Sequence, residues 1–327
     1  MQLRRTSERL KTRSLVLLSG EGGTIPAAEA RALFYAYDPS PRFESPSPRI
    51  LIADSEADPF LIGERIAFAR RVGQLVGDAS EAAELLEGRR VRFRGFDLAR
   101  ERHLADPGDY LGDLRATIDL RAPEYELTLV SGDREYLAVT SPGTMAQGWS
   151  RRRPRQRPFF HPAAIFPKLS RALVNLSRCV EGDIFIDPFA GTGSIPLEAS
   201  MVGCRVAAFD VAEKMVRGAK RNMRHFHQEW LGAVRADSGL LPVTAADAVA
   251  TDVPYGRASS TRGLGPGEVM DMALSTLADV ARPGATVVMM HQKEVAAEAG
   301  ADFSLLEEHD LQVHKRLTRT ISVLRRR

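Results

Sequence analysis

The stretch DIFIDPFAGTGS, residues 183–194, decides how the second half of the chain is read. Its first five residues form an apolar run closed by Asp187, which reads as a buried strand with an acid at its tip. Gly191 and Gly193 then free the backbone for a tight turn, and SIPLEASMVG (194–203) opens a helix. Glycines there let the backbone approach a ligand, and the amides of a helix N-terminus attract electron-rich groups. A second strand, CRVAAFD (204–210), ends in Asp210, 23 positions after Asp187, a suitable place to hold ribose hydroxyls. Together they point to a ligand that contains adenosine.

Working outward, strands and helices alternate from residue 167 to the end. PKLSRALVNLSRC (167–179) reads as an amphipathic helix. After the glycine turn come a helix over 212–226, strands at GAVRAD (232–237) and DAVATD (247–252), a helix over 269–281, and strands at TVVMMH (286–291) and RTISVL (319–324). That order predicts an α/β fold, a mostly parallel sheet with helices on both faces. The first 150 residues have a different texture. SLVLLSG (14–20) and RILIAD (49–54) read as strands, 26–37 and 60–76 as helices, and 38–48 as a Pro/Ser connector. RRVRFRGFDL (89–98) alternates as a strand, and ATIDL with YELTLVSGDREYLAVT reads as a hairpin turned at 131–133. This is a small α+β portion, and RRRPRQRPFFHP (151–162) reads as the linker between the two.

With 327 residues the chain is expected to hold two or three compact units, and 44% hydrophobic with 27% charged residues is ordinary for a soluble globular protein. No apolar run reaches the length of a spanning helix, and MQLRRTSERLKTRS lacks the apolar segment of a signal peptide, so the chain reads as cytoplasmic. Cys179 and Cys204 suggest neither a zinc site nor a disulfide framework. His225 and His227, two apart on a helix, face different ways, so no metal is expected. The net charge is only +3, but Arg151, Arg152, Arg153, Arg155 and Arg157 crowd into seven residues, a candidate contact for phosphates.

The ligand can be narrowed. A dinucleotide fingerprint needs glycine where Pro196 stands, and no Gly-Lys-Ser/Thr P-loop occurs. Without a diphosphate cradle, a ligand with a positive sulfonium and an amino-acid tail suits the acid at Asp187, which points to S-adenosylmethionine. Asp237, after the next strand, is placed to accept from an adenine amino group. In open α/β sheets ligands lie at the carboxyl ends of the strands, so Asp252 of ATDVPYGRASS (250–260) faces the same crevice. Asp-x-Pro-Tyr suits methylation of an exocyclic amine on a flat base. Asp252 accepts one N–H, the carbonyl of Val253 the other, and Tyr255 offers a stacking face. Pro254 fixes the turn and Gly256 frees the loop to close.

RPFFHP, PKLSRALVNLS, DPFAGTGS, TDVPYGR and VHKRLTRTISVL together resemble the archaeal tRNA guanosine-10 N2-methyltransferases, over roughly residues 154 to 327. Upstream, SLVLLSGE, AAEARALF and ATIDLRAPEYELTLVSGDREYLAV are similar to that family's ferredoxin-like region and its RNA-binding THUMP domain. The resemblance implies a Rossmann-like class I methyltransferase domain with a seven-stranded sheet over 167–327. It is preceded by a ferredoxin-like region (1–58), a THUMP domain (59–150) and an Arg/Pro-rich linker (151–166). It implies S-adenosylmethionine as donor and N2 of guanine 10 of tRNA as acceptor, methylated once or twice, with tRNA as partner; the protein is expected to act as a monomer. By motif, Asp187, Phe189, Gly191 and Gly193 would line the donor site, with Asp210 on ribose, Asp237 near adenine and His161 against the methionine portion. Asp252, Val253, Pro254 and Tyr255 would form the amine site, and the linker arginines would hold phosphates while the base is flipped.

The family has two prolines after the acid, whereas this chain has Val253 in the first place, so a loop with less preorganisation is expected. Two other readings stand beside this one. The same chemistry could act on a ribosomal RNA guanine or on adenine N6 of DNA, although the upstream half argues against DNA. A non-catalytic RNA-binding protein could also keep the fold, although intact Asp187, Asp210 and Asp252 count against decay.

Overall fold

The computed structural model describes residues 11–104, 114–142, 148–254, 265–293, 300–314 and 317–327. The chain divides into two compact units, one of residues 1–20 and 33–145 and one of residues 21–32 and 146–327.

The first unit contains β1 (Thr12–Leu18), the end of α1 (Ile25–Tyr37), β2 (Arg42–Ser47), β3 (Ile50–Ser55), α2 (Pro59–Arg65), β4 (Ala69–Val76), α3 (Ala79–Leu86), β5 (Arg90–Asp97), β6 (Arg102–Leu104), β7 (Thr117–Ile118), β8 (Tyr125–Ser131) and β9 (Glu135–Thr140). One sheet runs β2-β3-β1-β4-β9-β8-β5-β6, with β7 beside β5, so strands from both sides of residue 58 share it. The expected β8–β9 hairpin is present, pairing Ser131 with Glu135 across its turn.

Two sequence expectations are corrected here. Residues 60–76 are not one helix. Asp58 caps α2 by accepting from the Phe60 amide at 2.8 Å, Ile66 turns extended, and 69–76 become a strand between β1 and β9. A Cβ on Gly73 would stand 2.0 Å from the Val139 carbonyl, so glycine is what lets the strands approach there. The 38–48 segment is not only a connector, because it forms β2. Its Pro46 falls in the irregularity between Glu44 and Ser47, on an edge strand where a missing N–H does no harm. Helix α3 and the strand β15 described below also escaped the sequence reading.

The second unit carries α4 (Pro167–Leu176), β10 (Ile184–Asp187), α5 (Ser194–Met201), β11 (Arg205–Asp210), α6 (Glu213–His225), β12 (Gly232–Arg235), β13 (Ala246–Asp252), α7 (Pro266–Val280), β14 (Ala281–Gln292), β15 (Phe303–His314) and β16 (Leu317–Arg326). Its seven-stranded sheet has the order β12-β11-β10-β13-β14-β16-β15. The first five strands are parallel, and β16 runs antiparallel between β14 and β15. From β10 the chain goes first to β11 and β12 on one side and then to β13 on the other. That reversal opens a crevice at the carboxyl ends of β10 and β13. Beneath it lies a core that includes Ile186, Val249, Val287, Met289 and Leu277, all fully buried. Among the described residues, no helix is long and apolar enough to cross a membrane.

Candidate active site

A cavity of about 650 Å³ opens at the carboxyl ends of β10, β11 and β13. Its wall begins with the glycine turn. Gly191 and Gly193 have φ of 52° and 79°, values that favour glycine, and Gly193 is the N-cap of α5. The Gly191 amide donates to Asp210 Oδ2 at 2.9 Å and the Ala212 amide to Oδ1 at 2.8 Å, so the acid ending β11 fastens the turn that ends β10. Burial pushes the Asp210 carboxyl up, opposed by those two bonds and by His161. His161, Phe189, Gly191, Asp210 and Asp237 all line the cavity. The His161 ring accepts from the Ala163 amide at 3.3 Å, and Asp237 Oδ1 from the Gly239 amide at 3.0 Å.

Asp187 and Gly193, expected at the donor site, do not line the cavity. A Cβ on Gly193 would meet Ala219 at 3.2 Å, whereas one on Gly191 would meet open space. Asp187 is 1% exposed, and its Oδ1 accepts from Thr251 Oγ1 at 2.6 Å and from the Phe189 amide at 3.1 Å. Burial is the largest influence on it, and Asp252 and Asp210 push the same way, so its carboxyl rises to about 7. Its place is under the turn.

Asp252, Val253 and Pro254 line the same cavity, while Tyr255 and Gly256 lie outside the described residues. Val253 is 2% exposed and packs into the core beside Val269, and its amide donates to the Met290 carbonyl at 2.9 Å. A proline cannot make that bond. That bond ties the residue after Asp252 to the last pair of the β13–β14 ladder, Asp252 with Met290.

Asp252 is gripped by Arg319 of β16. Arg319 Nη1 donates to Oδ2 at 3.0 Å and Nη2 to Oδ1. Burial pushes the Asp252 carboxyl up and the guanidinium pulls it down. The sequence reading missed Arg319, which is 67 positions from its partner. The available signal was an arginine inside the apolar strand RTISVL, since an arginine buried in a strand needs an anion.

The linker arginines divide. Arg151, Arg153 and Arg155 are exposed. Arg152 and Arg157 correct the phosphate expectation by turning inward. Arg152 meets the fully buried Glu198 at 2.8 Å, with Arg171 on the other oxygen at 2.9 Å and Trp149 over the Arg152 guanidinium at 4.7 Å. Arg157 donates to Ser194 Oγ at 2.6 Å, and burial pushes its guanidinium down to about 10. These two arginines anchor the linker to α5 rather than offering charge to a polyanion.

Among the described residues, the cavity wall holds Asp210, Asp237 and Asp252 and no lysine or arginine. A diphosphate would be repelled there, whereas a sulfonium with an adenosine moiety fits the carboxylates and the open space beside Gly191. Among the described residues no cluster of His, Cys, Asp and Glu is arranged to hold a metal.

Residues 154–321 match the family model described as RMKL-like, methyltransferase domain. The tRNA (guanine(10)-N2)-dimethyltransferase of Methanothermobacter thermautotrophicus is 30% identical over 338 residues, covering 95% of this chain and 99% of that protein. The chain belongs to this methyltransferase family. Pyrococcus abyssi has a relative of the same description, 26% identical over 67% of this chain and 72% of its own. The crystal structure of TrmN from Thermus thermophilus covers 96% of this chain and 100% of its own, at 17% identity and a TM-score of 0.52. That likeness supports the methyltransferase fold.

Proposed function

We propose that this member of the tRNA (guanine(10)-N2)-dimethyltransferase family methylates the N2 amine of guanine 10 in tRNA once or twice, with S-adenosylmethionine as donor. The observation that carries the reading is a cavity that receives both the glycine turn with Asp210 and the acid of Asp-x-Pro, in a wall whose described residues include three carboxylates and no lysine or arginine. When bound, S-adenosylmethionine supplies an electrophilic methyl group on a sulfonium. Asp210 is assigned the ribose hydroxyls, Asp237 the adenine amine and His161 the methionine portion. Gly191 and Phe189 let the ligand lie close to the turn.

An exocyclic amine shares its lone pair with the ring, so it must be oriented, and positive charge develops on nitrogen as it is methylated. Asp252 receives one N–H and its charge opposes the one that develops, while the carbonyl of Val253 receives the other N–H. Pro254 holds the chain at the cavity wall, and Tyr255 is assigned the face of the base. Guanine 10 lies in a stem and must be flipped out, at a cost of a few kcal/mol. Exposed Arg151, Arg153 and Arg155 are the linker residues suited to phosphate contacts that offset it. An enzyme of tRNA of this kind works in the cytoplasm.

Labelled methyl transfer to unmodified tRNA tests the reading. Wild type should label the tRNA, while Asp252→Ala and tRNA with adenine at position 10 should not be labelled. No label from wild type on any RNA would overturn the enzyme reading, and label retained on the adenine-10 tRNA would overturn the position.

A further inference from the structure

Arg319 stands two strands away from the acid it grips. Asp252 pairs with Met290 in the β13–β14 ladder, Gln292 pairs with Arg319 in the β14–β16 ladder, and the arginine side chain crosses β14 to reach both carboxylate oxygens. It is 6% exposed along its side chain, and Asp252 18%. A carboxylate offers about four lone-pair sites. A bidentate guanidinium takes one on each oxygen, which leaves one on each for a further donor, and Asp252 is part of the cavity wall. Among the described residues, the other ionisable groups facing this pair are Asp187 of β10, beside Asp252, and His291 of β14, beside Arg319. His291 is itself tied to the Gln292 carbonyl and Ser322 Oγ at 2.8 Å each, and Ser322 Oγ donates to Glu308 at 2.8 Å. Among the described residues, Arg319 is the cation that touches Asp252 directly.

We propose that Arg319 is the positioning residue of the amine site, holding Asp252 as an ionised carboxylate in one orientation so that a free lone pair on it receives the N–H of the base. This rests on the reading that Asp252 receives the amine. The planar fork fixes the carboxylate plane as well as its charge, which an ammonium group does not do. Orientation of the acceptor then affects the methyl-transfer step more than it affects binding of either substrate.

The test compares Arg319→Met, Arg319→Lys, Asp252→Asn and the Arg319→Met/Asp252→Asn pair, by steady-state methylation of tRNA between pH 5 and 9 and by calorimetric titration with S-adenosylmethionine. Arg319→Met should lower kcat on the order of 10- to 100-fold with KM for tRNA and donor affinity within about 3-fold of wild type. The acid limb of its kcat profile should move to higher pH. Arg319→Lys should keep the wild-type acid limb and recover part of kcat. In the Asp252→Asn background the Arg319→Met change should cost nothing further, because both act through one group. If Arg319→Met does not fold, Arg319→Lys and the neutral double variant carry the test. A wild-type kcat and pH profile in a folded Arg319→Met protein overturns the inference, as does full additivity in the double variant. An Asp252→Asn enzyme as active as wild type would instead overturn the reading beneath it.

Discussion

Replacing Asp187 by asparagine should stabilise the protein at pH 8 relative to its effect at pH 4. The acid is 1% exposed, and burial raises its carboxyl from 3.8 to about 7. Below 3.8 the group is protonated in both the folded and the unfolded chain, and its environment costs no stability. Between 3.8 and 7 the unfolded chain ionises while the folded one keeps its proton, so stability falls by ~1.4 kcal/mol per pH unit. Above 7 both are ionised and the loss is complete. The gap of about 3 units gives at most about 4 kcal/mol. Asparagine can still accept from Thr251 Oγ1 and the Phe189 amide through Oδ1, but it adds an NH₂ group without an evident acceptor, at a cost of about 1–3 kcal/mol at every pH. The variant should therefore be less stable than wild type at pH 4 and level with it or more stable at pH 8. Urea unfolding at pH 4, 6, 7 and 8 measures this through the difference between the two proteins. A difference that stays constant across that range, within about 1 kcal/mol, would refute the reasoning, because no buried raised carboxyl would then exist.

Two further outcomes follow from the packing. Val253→Pro restores the residue usual in the family but removes the amide bonded to Met290 and changes a buried side chain, so it should cost about 1–3 kcal/mol by chemical denaturation, and unchanged stability would count against a structural role for that bond. Glu198→Gln leaves Arg152 and Arg171 inside the protein without their anion and should cost about 3–5 kcal/mol, read from the same unfolding curves. A loss below about 1 kcal/mol would mean the linker is not anchored to α5 there.

The second unit was legible because its code is local. Each strand that feeds the cavity is a short apolar run with an acid at its end, and Gly191 and Gly193 mark the turn within the same twelve residues. What escaped depends on partners far along the chain. Residues 69–76 carry apolar spacing that also suits a helix, and only pairing with β1 and β9, with Gly73 at the close approach, makes them a strand. Strand β15 was missed because FSLLEEHDLQVH is an edge strand whose alternation is broken at Leu305/Glu307 and Gln312/His314. A cluster of arginines reads the same whether it meets phosphate or Glu198, so the sequence could not separate Arg152 and Arg157 from Arg151, Arg153 and Arg155. The acids show the same limit. Asp187 and Asp252 both end central strands, yet one supports the turn from below and the other reaches the cavity, a difference set by side-chain packing.

The central claim is that this cavity joins a methyl donor to the N2 amine of guanine 10. Mass spectrometry of nucleosides and of site-specific fragments, from unmodified tRNA incubated with the protein and S-adenosylmethionine, reports base, position and methyl count together. The account predicts N2-methylguanosine or N2,N2-dimethylguanosine at position 10, and neither with Asp252→Ala. Methylation of a different base or position by the wild type, or an Asp252→Ala protein that methylates guanine 10 at the wild-type rate, would contradict it.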